Sequence, residues 1–389
     1  DIVRLRLQGE AFALRAWFQW DLLQKFGGKG INGQMLGFPI VTEPVDITGE
    51  VNFARNTYDE CVKQIIADCD SAYKYLPLAH RDFLVTVPGD LLYAGGKYWG
   101  RMDGITTRAI KANLYLTWAS PRFNPTSDIS RWDSAAVNAK KVMDFKLTKD
   151  NVSGGFVPVT QVNWFNPNFP GIVIASRYVT SDADMEAMER MFYPGGFQGN
   201  GVMGATQELV NAFPMANGYP INDPANRGLY NAANPYAGRD PRFYSAIFYN
   251  TVQAKKNNTG VLMYTFENWI GGKDAAGVTS SNSQTNYHIK KFVYMGLNWT
   301  DATITRQPHS KFFIRWAHMC LAFAEAANQV VGPVDIAKYG MPAQTAIQYL
   351  RSRRTTDGAN GLSPVPPAAA DAYLTEVAAA GKAAFGVLV

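Results

Sequence analysis

The stretch NTYDECVKQIIADCDSAYKYLP, residues 56–77, predicts a helix whose start, buried face and end can all be read from the sequence. Thr57 and Glu60 have the spacing of a capping box, in which each side chain accepts a hydrogen bond from the other residue's backbone N–H. Apolar side chains then recur at helical spacing until Pro77 stops the helix: Tyr58, Val62, Ile65, Cys69, Ala72 and Leu76. Such a face must be buried against another element.

Similar stripes of apolar side chains predict further helices on both sides of this stretch. The first predicted helix carries Leu7, Ala11, Leu14, Phe18 and Leu22 on one face. Gly27 and Gly28 supply its C-terminal stop, since glycine readily adopts the left-handed conformation found there. Other helices are predicted over 105–119, just before Pro121, and around 132–142.

The C-terminal part of the chain returns to the helical pattern. Its strongest stripe comprises Phe312, Trp316, Met319, Phe323, Ala326 and Val330. Helices are also predicted near 342–354 and 371–388. Because the partners of these stripes are other stripes, we expect antiparallel helix pairs packed side by side, as in TPR-like proteins, and a mostly α fold.

The middle of the chain has a different character. Between 150 and 307, Gly, Asn, Pro and Ser alternate with Trp, Tyr and Phe, with one short helix near 206–213 and short strands within 171–179 and 288–294. Loops of this length inside a compact protein are commonly functional, and the aromatic content argues against disorder. The predicted organisation is one domain, 1–389, with a helical scaffold in 1–149 and 308–389 and an irregular ligand-binding region in 150–307.

The composition excludes several classes of protein. A chain that is 47% hydrophobic and 18% charged has the balance of a globular protein, and its net charge of +5 is not gathered into basic runs, so nucleic acid is not an expected partner. No stretch approaches the ~20 apolar residues of a transmembrane helix, and residues 1–10 lack the pattern of a signal peptide. Contact with a membrane is therefore expected only through a lipid anchor that this chain does not contain.

Metal and cofactor motifs give no specific signal. The four histidines, at 80, 288, 309 and 318, have no zinc-ligand spacing, and we expect no cofactor. Calcium bound by loop carbonyls and carboxylates leaves no sequence signature and stays open as a structural ion. Gly199, Gly201 and Gly204 spell GxGxxG, but a dinucleotide site needs a strand running into the first glycine, whereas residues 192–198 read as a turn.

Paired carboxylates are the serious argument for an enzyme. A glycoside hydrolase needs only two acids roughly 5 to 10 Å apart across a cleft. The carboxylates that could form such a pair are Asp182, Asp184, Glu186, Glu189, Glu267 and Asp301. The first four flank a predicted helix start, where acidic groups favour the helix dipole, so we expect structural roles and no catalysis.

The aromatic residues of the irregular region favour capture of a sugar. A sugar ring presents a flat patch of C–H groups surrounded by hydroxyls, and exposed rings with amides at the rim match such a ligand. The predicted ligand-binding residues are Trp164, Tyr193, Phe197, Asn200, Trp269, Tyr287 and Trp299, each next to Gly, Asn or Ser or within a Gly-rich loop. Asn268 is a further expected partner for hydroxyls.

Several segments resemble the SusD/RagB family, the nutrient-binding lipoproteins of the Bacteroidetes outer membrane. The segments, in family order, are LRAWFQWDLLQKFGG (14–28), NTYDECVKQIIADCDSAYKYLP (56–77), GRMDGITTRAIKANLYLTWASPRFN (100–124), TQELVNAFPMANGYPI (206–221), NPYAGRDPRFYSAIFYN (234–250), NYHIKKF (286–292) and IRWAHMCLAFAEAAN (314–328). Family members normally carry further residues before the first of these segments, including the lipidated cysteine. His318 stands where the family more often has an acidic residue.

The resemblance implies a location and a partner as well as a fold. It implies a protein on the outward face of the outer membrane that binds an oligosaccharide or polysaccharide without breaking it. The bound glycan would then pass to a SusC-like TonB-dependent transporter. A helical glycoside hydrolase and a peptide-binding member of the same family are the alternatives.

Overall fold

The computed structural model describes residues 1–46, 48, 52–80, 91–149, 172–175, 183–197, 199–256, 262–278, 282–293, 311–351 and 372–389. The helices in these ranges are α1 (Ile2–Phe26), α2 (Tyr58–Tyr75), α3 (Gly104–Ala119), α4 (Ile129–Lys149), α5 (Ala183–Phe192), α6 (Gln207–Ala212), α7 (Pro241–Ala246), α8 (Trp316–Val331), α9 (Ala343–Arg351), α10 (Ala372–Ala379) and α11 (Lys382–Leu388). The predicted mostly α, TPR-like architecture of helix pairs is confirmed. None of the described helices is long and apolar enough to cross a membrane.

The α1–α2 pair is antiparallel and is fixed at both ends. Gly9, near the start of α1, lies against Leu76, and Gly27, just after its end, lies against Tyr58. The predicted capping box is present at the start of α2, where Thr57 and Glu60 exchange side-chain and backbone hydrogen bonds. The predicted start and end of this helix are therefore both confirmed.

Removal of the capping hydroxyl tests this helix start. Thr57→Ala leaves the N–H of Glu60 without its 3.3 Å partner, and we expect a loss of about 1 kcal/mol in the free energy of unfolding. Thr57→Ser keeps the hydroxyl and serves as the control. Urea denaturation of the two variants measures the difference, and equal stability of both with the parent protein would contradict the role of the cap.

The predicted core face of α1 is wrong. The buried residues of α1 are Arg6, Gly9, Glu10, Ala13, Ala16, Gln19 and Leu23, whereas the exposed ones include Leu7, Leu14, Phe18 and Leu22. Small side chains at Gly9, Ala13 and Ala16 let the neighbouring helices approach closely. The buried carboxylate of Glu10 is paired with the guanidinium groups of Arg6 and Arg101.

The main core lies between α3, α4, α8 and α9, with α1 and the C-terminal helices packed beside it. Trp316, at the start of α8, is its largest fully buried side chain, and its indole N–H donates to the carbonyl of Met143 in α4 at 3.3 Å. The predicted helix over 371–388 is two helices, because Gly381 between α10 and α11 has a φ of 96°. Leu374 and Phe385, one from each short helix, are buried in the main core.

The strands in the described residues are short and pair in antiparallel fashion. They are β1 (Gly28–Lys29), β2 (Met35–Leu36), β3 (Ile172–Ala175), β4 (Ile247–Phe248), β5 (Gln253–Lys256), β6 (Leu262–Thr265), β7 (His288–Ile289) and β8 (Phe312–Arg315). The pairs among the described residues are β1–β2, β3–β8, β4–β7 and β5–β6. The β4–β7 pair joins two aromatic clusters that are separate from the helical cores, one around Phe248 and Phe266 and the other around Phe243.

Candidate ligand site of the irregular region

The structure describes some of the predicted ligand-binding residues and leaves out others. Trp164 and Trp299 lie outside the described residues. The backbone of Phe197 is described, as the end of a 3-10 turn over Gly195–Phe197, but its side chain is not. The remaining members of the set are Tyr193, Asn200, Trp269 and Tyr287.

Trp269 lies on a turn that projects from the surface. Its side chain is 48% exposed and that of the next residue, Ile270, is 99% exposed. The N–H of Gly272 donates to the carbonyl of Trp269 at 2.8 Å, which closes a β-turn. Gly271 occupies the turn position with a φ of 88°, a conformation that favours glycine. The ring is therefore presented to solvent from a closed turn.

The base of the Trp269 turn is a buried carboxylate. Asp274 is fully buried; it accepts a hydrogen bond from the hydroxyl of Tyr264 at 2.6 Å and one from the N–H of Glu267 at 2.9 Å. Burial raises the pKa of Asp274, against the lowering effect of these bonds. Gly196 packs so closely on the Tyr264 hydroxyl that no side-chain carbon fits there. The segment that ends at Phe197 is thus in contact with the base of this turn.

Tyr287 lies on a neighbouring turn that is tied to the first one. The amide of Asn268 donates to the carbonyl of Asn286, and the side-chain oxygen of Asn286 accepts from the N–H of Ala276 at 2.6 Å. Two residues that directly precede the aromatic positions Trp269 and Tyr287 are therefore hydrogen-bonded to each other. Asn268, expected to contact hydroxyls of a ligand, is buried and is used for this internal bond.

Sequence reasoning missed a group of tyrosines around Tyr287. The hydroxyls of Tyr236 and Tyr287 are 3.4 Å apart, and the ring of Tyr236 lies 4.8 Å from that of Tyr249. All three rings are half-buried and pack around Phe243. The closely spaced aromatic residues within 234–250 could have indicated this group from the sequence. Their position next to Tyr287, however, depends on the pairing of β4 with β7.

Tyr193 is a correction to the predicted set. Its side chain is fully enclosed, in the cluster that contains Phe248 and Phe266, so it belongs to the core and does not present a ring to a ligand. Asn200 is exposed, and its backbone N–H donates to the carbonyl of Arg190 at 2.7 Å. The loop that carries Asn200 is joined to Tyr287 through the N–H of Ala205, which donates to the Tyr287 carbonyl at 3.2 Å.

The glycine-rich segment 199–204 has a packing role that sequence reasoning did not identify. For this segment the sequence predicts a flexible, backbone-exposed loop between Phe197 and the helix that begins near Thr206. In the structure Gly199 is buried against the backbone of Tyr193, and Gly204 lies against Ser283 and pairs with His288. These glycines permit close approach of backbone segments.

Arg239 and Arg242 hold the entry to α7 in different ways. Arg242 forms an ion pair with Asp240 at 2.8 Å, as an Arg-Asp-Pro-Arg sequence suggests. Arg239 is buried and donates to the carbonyls of Val210 and Phe213 at 2.6 and 2.7 Å. The guanidinium of Arg239 therefore has a structural role beside the group of tyrosines around Tyr287.

Of the carboxylates considered for catalysis, the structure describes the side chains of Glu189 and Glu267. Asp182 and Asp301 lie outside the described residues, and so do the side chains of Asp184 and Glu186. Glu189 is buried, and Glu267 is 3.5 Å from the ammonium of Lys273. Among the residues that the structure describes, no group of three His, Cys, Asp or Glu side chains is placed to hold a metal ion.

Two family models match the chain. A model of the SusD family matches residues 170–363, and a second model, described as starch-binding and associating with the outer membrane, matches residues 3–89. The chain belongs to the SusD family. No curated protein matches it by sequence.

Solved structures of SusD-like proteins share the fold. A SusD-like protein from Bacteroides fragilis is 20% identical, with a TM-score of 0.66, and the match covers 90% of this chain and 62% of that one. A SusD-like carbohydrate-binding protein from the same species is 15% identical, with a TM-score of 0.60, covering 100% and 65%. A structure with a xylogluco-oligosaccharide is 14% identical, with a TM-score of 0.56, covering 90% and 59%. This chain thus spans less than two thirds of the length of these SusD-like proteins.

Proposed function

We propose that the protein binds an oligosaccharide or polysaccharide on the outward face of the outer membrane and delivers it to a SusC-like TonB-dependent transporter. The bound sugar is held by ring stacking and hydrogen bonds, and no bond is broken. Attachment to the membrane through a lipid anchor belongs to the same proposal. Membership of the SusD family supports it, as do one similar structure described as a SusD-like carbohydrate-binding protein and another described with a xylogluco-oligosaccharide.

The observation that carries the proposal is the exposed ring of Trp269 on a closed turn. A ring fixed in this way loses little conformational entropy when a ligand stacks on it. The half-buried Tyr287 lies on the adjoining turn, and its hydroxyl is 3.4 Å from that of Tyr236, which is also half-buried. Asn200 adds an exposed amide to the same region. Rings with hydrogen-bonding groups at the rim are what a sugar needs for recognition.

Replacement of Trp269 tests this assignment. Trp269→Ala is expected to raise the Kd for a bound polysaccharide by a factor that corresponds to about 1 to 3 kcal/mol, because a stacking ring near the centre of a site contributes that much. A panel of neutral polysaccharides in native gels identifies the ligand, and isothermal titration then gives the Kd. Analysis of the reaction mixture for new reducing ends separates binding from glycoside hydrolysis.

Phe18→Ala is the matched control, since Phe18 is an exposed ring, 61% exposed, on α1. It should bind as the parent protein does. Equal affinity of the Trp269 and Phe18 variants would remove Trp269 from the site. If no polysaccharide or oligosaccharide retards the protein, while a peptide library does, the carbohydrate proposal is wrong and the peptide-binding alternative replaces it.

Delivery to a transporter is tested separately. A binding protein held over a transporter raises the local concentration of ligand at the pore. Co-purification of the intact lipoprotein with its transporter from outer membranes is the expected result. Uptake of labelled oligosaccharide should fall when the binding protein is deleted and should recover with the wild-type gene but not with Trp269→Ala.

A further inference from the structure

We propose that His288 is a pH-dependent latch on the carbohydrate site: protonation of its ring opens the turn over 282–287 that positions Tyr287 and, through Asn268, Trp269. The effect on ligand affinity rests on the proposed function. The opening of the turn does not, and it can be measured without any ligand.

The His288 ring is buried in its neutral form. It is fully enclosed, and its Nε2 accepts a hydrogen bond from the backbone N–H of Ser283 at 3.3 Å. A nitrogen that accepts a hydrogen bond carries no proton, so the ring proton is on Nδ1. Nδ1 is buried too, without a hydrogen-bond partner among the described residues. The ring of Phe266 packs edge-on against the imidazole, 5.6 Å away.

A second proton has no favourable place on this ring. It would occupy the lone pair of Nε2 and face the N–H of Ser283, which turns an attractive contact into a repulsive one. It would also create a charge in an apolar environment. Burial accordingly lowers the pKa of His288 to about 4.

The charged groups on the segments around His288 form ion pairs or hydrogen bonds with residues other than His288. Glu267, next to Phe266, pairs with Lys273, and Asp274 accepts from Tyr264. Lys290, two residues along the chain, donates to the carbonyl of Tyr244 at 2.9 Å. Burial is what lowers the pKa of His288.

The Ser283 N–H is the first link of a connected turn. The Ser283 hydroxyl is 2.9 Å from that of Thr285, which in turn donates to the carbonyl of Tyr287 at 3.4 Å. Asn286, between them, has a φ of 60° and accepts from Asn268. When the Ser283 end is released, the strained Asn286 conformation loses part of its support, and both aromatic positions are free to move.

The first test follows backbone exchange in the ligand-free protein. Hydrogen–deuterium exchange by mass spectrometry is recorded from pH 7 to pH 3.5 and corrected for the intrinsic pH dependence of amide exchange. Peptides covering 282–288 should lose protection progressively as the pH falls from the ordinary histidine pKa of 6.5 toward the lowered His288 pKa of about 4. Peptides from α8 should remain protected over the same range. Protection of 282–288 that does not change, or that falls only together with α8, would overturn the latch.

His288→Gln is the informative variant, because its side-chain oxygen can accept from Ser283 without titrating. It should keep 282–288 protected at pH 4. His318→Gln, at an exposed position of α8, is the matched control and should behave as wild type. If His288→Gln does not fold, the wild-type exchange profile decides alone, since the loss of protection must be confined to 282–288 and lie between pH 6.5 and about pH 4.

The second test measures ligand affinity over the same pH range. If the protonated form binds negligibly, the Kd of the wild type rises progressively as the pH falls from 6.5 toward about 4. His288→Gln has the same carboxylates and should lack this rise. A Kd that changes equally in both proteins refutes the latch, whereas absence of binding at neutral pH refutes the proposed function and leaves the exchange result intact.

Discussion

Trp316→Ala is expected to lower the free energy of unfolding by about 3 to 5 kcal/mol, the range for removal of a large aromatic side chain from a core. The indole is 1% exposed and lies 5.5 Å from the ring of Tyr349, centre to centre. Its loss also leaves the carbonyl of Met143 without a side-chain donor. Because α4, α8 and α9 meet at this ring, the cavity would lie at the centre of the main core.

Chemical denaturation gives the size of this loss. Trp269→Ala is the matched control, since it removes the same side chain from an exposed position and should change the unfolding free energy by less than about 0.5 kcal/mol. Unfolding can be followed by far-UV circular dichroism, which does not depend on the deleted indoles. Equal destabilisation by the two substitutions would mean that Trp316 is not the centre of the core.

Gly196→Ala is expected to disrupt the site and to destabilise the protein by roughly 3 kcal/mol, at the upper end of the range for overpacking. The new methyl group would coincide with the hydroxyl of Tyr264 and lie 2.7 Å from Oδ1 of Asp274. The tyrosine is a rigid ring held by that carboxylate, so it cannot move aside without breaking the bond that anchors the Trp269 turn. Ligand binding should fall at least as much as in Trp269→Ala.

Gly28→Ala is the control for this substitution. A methyl group at Gly28 meets only the end of the Arg122 side chain, at 3.2 Å, and a flexible guanidinium can shift. It should therefore retain ligand binding and near-normal stability. Titration and denaturation of both variants test the expectation, which fails if Gly196→Ala binds as the parent does.

The helices could be predicted where the residues that determine the start, the buried face and the end lie close together in the sequence. The capping box of Thr57 and Glu60, the stripe of α2 and the stop at Pro77 lie within one short stretch, and the structure has each of them. The face of α1 was not predictable from apolar spacing alone. Its core side is chosen by small residues and by the pairing of Glu10 with Arg101, which is 91 residues away. A count of large apolar groups therefore selected the exposed side.

The candidate site was predictable only in part, for a related reason. Tyr193 precedes a Pro-Gly-Gly sequence and Trp269 follows Asn268, both in irregular segments, yet one ring is enclosed and the other is exposed. The difference depends on which segments meet in space. Phe248 pairs with His288 across 40 positions of the chain, and this pairing places Tyr236 and Tyr249 beside Tyr287. No local pattern encodes that contact.

The aromatic clusters beneath the turns have a consequence for how such proteins diverge. The cluster around Phe248 and the one around Phe243 are distinct from the cores that the helices share. Replacement of a residue on the Trp269 or Tyr287 turn therefore affects the packing of these small local clusters and leaves the helical cores unchanged. Ligand preference can change during evolution at little cost in the stability of the fold. Paralogues that bind different ligands can therefore keep the same helical fold.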